Sequence, residues 1–162
     1  MKKYALSILA LYLFIACNPS RRLSKEQNIP IQIQINDPVK IGESIIFEIK
    51  NNSSDPITIF YPQKLWIEKL YGDRWQKLKI LECLCDAPCQ ASEDKMILEP
   101  TVNYTLKWDQ KESWCGPRRA GQIRETIFKP ADEGRYKMVV HFSTKTVKDD
   151  SFSQEFSITT KV

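Results

Sequence analysis

Ile29-Pro30-Ile31-Gln32-Ile33-Gln34-Ile35 places an apolar side chain at every second position. Residues i and i+2 share one face of an extended chain, so this stretch is a strand with one apolar and one polar face. Pro30 has no N–H to donate, which puts the segment at a sheet edge or at the start of its strand. The same period recurs outward along the chain. Ile45, Phe47 and Ile49 alternate with Glu48 and Lys50, and Ile57, Ile59 and Tyr61 follow the turn-forming run Asn51-Asn52-Ser53-Ser54-Asp55-Pro56. Leu65–Leu70 and Trp75–Leu81 flank Tyr71-Gly72-Asp73-Arg74, a hairpin in which Gly72 tolerates positive φ. Val102, Tyr104, Leu106 and Trp108 alternate again, as do Tyr136, Met138, Val140 and Phe142, and Phe152, Phe156, Ile158 and Val162 close the chain. This predicts seven to nine strands with no helix beyond residue 20, hence an all-β, antiparallel sandwich over residues 29–162.

Asp132-Glu133-Gly134-Arg135-Tyr136 leads into the penultimate predicted strand. It resembles the tyrosine corner of immunoglobulin-like domains, which implies that the Tyr136 phenol hydrogen-bonds backbone a few residues upstream. Three segments, Gly42–Asn51, Leu98-Glu99-Pro100 with Trp108-Asp109, and Gly134-Arg135-Tyr136, are also similar to a family of small bacterial sandwich domains that includes intracellular proteinase inhibitors. These are scaffold positions, so the resemblance implies an immunoglobulin-like β-sandwich. As an alternative activity it implies protease inhibition through a loop spanning about residues 109–121.

The amino terminus carries an address. Met1-Lys2-Lys3 is followed by an almost wholly apolar run from Tyr4 to Ala16, too short to cross a hydrocarbon core of about 30 Å comfortably and proportioned like a secretory signal. A retained anchor helix is the plainer alternative. Phe14-Ile15-Ala16-Cys17 resembles the lipobox of bacterial lipoproteins, with Phe14 in place of the usual Leu. The resemblance implies a signal peptide over residues 1–16, cleavage before Cys17, and acyl chains on Cys17 that hold the protein to a membrane, each buried methylene contributing about 0.8 kcal/mol. Asn18 rather than Asp after the cysteine implies the outer membrane. A soluble secreted protein with an incidental Cys17 is the alternative. Residues 17–28 are then the lipidated terminus and a mostly polar, flexible tether.

Export makes Cys83, Cys85, Cys89 and Cys115 candidates for disulfides. A Cys83–Cys85 bond would close a very small ring, so either Cys83 or Cys85 joins Cys89 and the other joins Cys115. A continuous strand from Met96 to Trp108 would hold the two cysteine loops about 43 Å apart, whereas a disulfide needs Cα atoms within about 7 Å. The chain must therefore reverse near Glu99-Pro100-Thr101, and both stapled loops must share one end of the fold. Four thiolates binding Zn2+ or Cu(I) are one competing reading, with a spacing unlike that of a paired zinc ribbon and no nearby His, and a redox-active thiol pair is another.

Of the 162 residues, 24 are Lys or Arg and 20 Asp or Glu, so the net charge of +4 falls to +2 once Lys2 and Lys3 are removed, which does not point to nucleic acid as a partner. His141 is the single histidine and falls opposite Val140 and Phe142, as an exposed or edge residue. No phosphate cradle, zincin motif or nucleophile elbow is present among five glycines. The expectation is a non-enzymatic protein without cofactor or metal, binding an envelope protein or serving envelope structure. Trp114, Arg118 and Arg119 beside Cys115 are its candidate contact residues, since Trp and Arg dominate interaction hot spots. Trp114 packed beneath its own loop, with solvated arginines, is the bland alternative.

Overall fold

The computed structural model describes residues 29–90 and 92–160. The predicted signal peptide, Cys17 and the tether lie outside the described residues, as does Val162. Among the described residues the chain is all-β, with no helix. Twelve strands run in order: β1 (Ile31–Gln34), β2 (Val39–Lys40), β3 (Ile45–Asn51), β4 (Ile57–Phe60), β5 (Ile67–Tyr71), β6 (Arg74–Lys77), β7 (Lys95–Leu98), β8 (Asn103–Trp108), β9 (Lys111–Cys115), β10 (Thr126–Pro130), β11 (Gly134–Ser143) and β12 (Asp150–Thr159).

They form three sheets. One is β1-β3-β8, another is the ribbon β9-β10, and the largest centres on β11 and β12. The long strand β11 pairs with β12 on one side. On its other side it pairs with β5 along its first half and with β4 at its end, while β6 and β7 extend those branches. Every pairing is antiparallel except the short β2–β12 ladder, which makes the largest sheet mixed.

The period-two reading locates the core. Ile31 and Ile33, then Ile45, Phe47 and Ile49, then Tyr136, Met138, Val140 and Phe142 are all buried. Rings carried by β3 and β8 meet rings carried by β11 and β12: Phe47 lies 5.6 Å from Phe156, and Trp108 lies 5.9 Å from Tyr136. The apolar faces of two sheets therefore close on each other, each tilted ring pair adding about 0.5–1.5 kcal/mol to the burial of area. Pro30 stands just ahead of β1, which is an edge strand.

Two predicted reversals are present. β5 and β6 join through Gly72-Asp73, with Tyr71 opposite Arg74 and Gly72 at φ +61°. β7 ends at Leu98 and β8 begins at Asn103, with Thr101 at positive φ between them. Buried Asn51 braces this end: its amide donates to the carbonyls of Leu98 and Asp55, and its oxygen accepts from the Ser53 amide and hydroxyl.

The strand count exceeds the expected seven to nine because β2, β9 and β10 carry no clean alternation. Other departures have local causes. The strand expected over Trp75–Leu81 stops at Lys77; Leu78 beyond it is buried in the core, and its N–H still donates to the Ile67 carbonyl. Tyr61 leaves β4 in the left-handed region and is exposed, and Val102 is an exposed turn residue rather than part of the buried face. His141 sits on the central strand β11, not at an edge, and is half-buried with its ring 4.7 Å from that of Trp66.

Candidate interaction surface

Two disulfides gather the cysteine loops at one place. Cys83 pairs with Cys89 at a Cα separation of 5.9 Å, and Cys85 pairs with Cys115 at 5.6 Å. Of the two pairings left open by spacing, this one follows from where Cys85 lies. Its side chain is buried, 6% exposed, and its N–H donates to Thr126 Oγ1 at 2.8 Å, which presses the residue against the β9–β10 ribbon. Paired in this way, the four sulfurs offer no thiolate to a cation. The described residues contain no group of three His, Cys, Asp or Glu side chains placed to hold a metal ion.

The ribbon is held from several sides. Ser113 N–H donates to the Lys79 carbonyl, Leu81 N–H donates to Ser113 Oγ, and Ala131 N–H donates to the Gln110 carbonyl. Buried Gln110 itself reaches the loop after β2, donating to the Lys40 carbonyl and accepting from Gly42 N–H. Gly116 N–H donates to the Glu125 carbonyl at 2.9 Å and closes the base of loop 116–125.

Asp86 fastens that loop from outside. Its carboxylate accepts from Arg124 Nη2 at 2.6 Å, from Nε at 3.0 Å and from the Arg124 backbone N–H at 2.9 Å. Those hydrogen bonds, helped by the guanidinium charges of Arg124 and Arg118, hold its carboxyl down at about 2. Arg118 lies 4.0 Å from the same carboxylate but stays 77% exposed. Arg119 is exposed too and lines a cavity of about 140 Å³ with Pro117, Gln122 and Ile123.

The predicted contact residues divide. Arg118 and Arg119 are presented to solvent on loop 116–125. Trp114 is not in that loop: it is a half-buried residue of β9, opposite Ile127 on β10. The loop anticipated over 109–121 is thus displaced, since Lys111–Cys115 is strand and the projecting segment starts at Gly116. Sequence reasoning missed the exposed apolar side chains around it. Ile123 is 81% exposed, Leu84 59% and Phe128 54%. None stands in an alternating run, and no periodic signal marks an apolar residue that faces water.

Tyr136 lies on β11, away from this surface. Its hydroxyl donates to the Asp132 carbonyl, four residues upstream. Buried Lys69 packs against it, with Nζ 5.3 Å from the Tyr136 ring and 3.5 Å from Asp132 Oδ2. Burial works against the charge on Lys69, but the Tyr136 oxygen, with Tyr71 and Asp132, outweighs it and raises its pKa. Gly134, at φ +144°, passes this lysine so closely that a Cβ there would sit 3.3 Å from Lys69 Cε.

No family model and no curated protein matches this chain.

Proposed function

We propose that this chain is a non-catalytic, lipid-anchored protein of the bacterial cell envelope, built on an immunoglobulin-like β-sandwich, whose stapled β9–β10 end binds an envelope partner. The observation that carries the reading is the pinning of loop 116–125. A disulfide at Cys115, the Gly116–Glu125 hydrogen bond and the Asp86–Arg124 ion pair hold its backbone, while Arg118, Arg119 and Ile123 face solvent. A contact element restrained in this way loses little conformational entropy when it binds. Two disulfides suit an oxidising compartment. The lipobox-like run ending at Cys17 supports acylation there, with outer-membrane attachment following from Asn18.

Photo-crosslinking side chains placed at Arg119 and Ile123 test the binding surface, with Lys145 as a remote control position. Specific envelope adducts from the loop positions and none from position 145 are expected. Equal labelling from all three, or none from any, refutes the surface. The intact mass of the purified protein tests the anchor: it must show cleavage before Cys17 plus acyl mass on that residue.

One observation favours a second reading, an exported proteinase inhibitor. Pro117-Arg118-Arg119 forms part of a projecting loop closed at its base, the form in which an arginine can enter an arginine-selective protease cleft. Titration against a panel of serine proteases separates the two.

A further inference from the structure

The two disulfides differ in access, and the more accessible one encloses the residue that fastens loop 116–125. Cys89 is exposed and Cys83 half-buried, whereas Cys85 is only 6% exposed, held against Thr126 and covered by the ribbon. Exchange requires a thiolate to reach a disulfide sulfur, so rates follow access. Asp86 lies inside the ring closed by Cys83–Cys89, between two residues whose sulfurs are both engaged, in the left-handed region at φ +56°. An aspartate tolerates that region better than most residues but still departs from the preferred backbone. From that position it binds Arg124 and neighbours Arg118.

We propose that Cys83–Cys89 is a thiol–disulfide exchange site whose opening releases Asp86 from Arg124 and loosens loop 116–125. An external thiolate attacks Cys89 Sγ. The Cys83–Cys89 bond breaks, a mixed disulfide forms on Cys89, and Cys83 leaves as thiolate. A second external thiolate then attacks the external sulfur of the mixed disulfide. This frees Cys89 and yields the oxidised external disulfide, and the two external thiol protons end on Cys83 and Cys89. Cys85–Cys115 persists and keeps β9 attached. The inference stands on this geometry whether or not the loop binds a partner.

The test uses the full chain carrying both disulfides, exposed to graded reduced glutathione, quenched with N-ethylmaleimide and mapped by peptide mass. Cys83 and Cys89 are expected to be alkylated first, faster than Cys85 and Cys115 by on the order of tenfold or more. In that partly reduced species the Arg124 amide resonance shifts and the Asp86 carboxyl titrates upward from about 2 toward its ordinary range. The paired variant Cys83→Ser with Cys89→Ser should reproduce both spectral changes without any reductant. Simultaneous labelling of all four cysteines, or opening of Cys85–Cys115 first, overturns the exchange site. An unchanged Arg124 amide and Asp86 titration in the partly reduced protein overturns the coupling to the loop.

Discussion

Replacing Cys85 and Cys115 together by Ala should cost much more stability than replacing Cys83 and Cys89. The first bond joins residues 30 apart and the second residues 6 apart. Restriction of the unfolded chain grows with the logarithm of that separation, which gives about 3.6 kcal/mol for the long ring and about 2.2 kcal/mol for the short one. Both are large beside a total domain stability of about 5–15 kcal/mol. The long bond also holds the Cys85 segment on the ribbon, so the native state has no slack there to recover. Urea unfolding of the two double variants and the parent, all without reductant, is the assay. With a slope near 2 kcal/mol per molar, the midpoint should fall by about 1.8 M for the long bond and about 1.1 M for the short one. Equal losses, or a greater loss from the short ring, would refute the assignment of Cys85–Cys115 as the principal staple.

Asp86→Asn probes the clamp through pH. The folded carboxyl sits near 2 against an ordinary 3.8, a depressed value, so its contribution is fully present above 3.8 and disappears as pH falls through about 2. Parent and variant should therefore differ in stability at neutral pH and converge in acid; a constant gap down to the lower value would contradict the ion pair. Tyr136→Phe removes the donor to the Asp132 carbonyl and should cost about 1–2 kcal/mol by thermal unfolding, without altering strand content in circular dichroism. Asn51→Ala strands the Leu98 carbonyl at the β7–β8 reversal and should cost about 2–3 kcal/mol, with hydrogen exchange rising first around residues 51–55.

Much of the scaffold is legible in the linear chain because burial on one face of a strand imposes a period of two. Ile31/Ile33, Ile45/Phe47/Ile49 and Tyr136/Met138/Val140/Phe142 announce both their strands and their inner faces, and Gly72 and the Asp132–Tyr136 motif announce turns set by local backbone chemistry. The need to bring distant cysteines within bonding range even located the reversal after Leu98. These are properties of neighbours, or of a distance bound, and no other part of the molecule is required to state them.

The choice of disulfide partners, the strand status of Trp114, and the assembly of Asp86 with Arg124 depend instead on separate segments meeting at the ribbon, Cys85 with Cys115 30 residues on and Asp86 with Arg124 38 residues on. No periodicity encodes such a meeting. Asp86 reads as one more polar loop residue until Thr126 fixes the backbone beside it, and Ile123 stands in no alternating run that would say which way it faces. Local patterning could say which side chains avoid water within each strand. Which loop is fastened at its base, and which residues it offers to solvent, was settled by contacts between elements, where the energy belongs to pairs that the order of residues does not reveal.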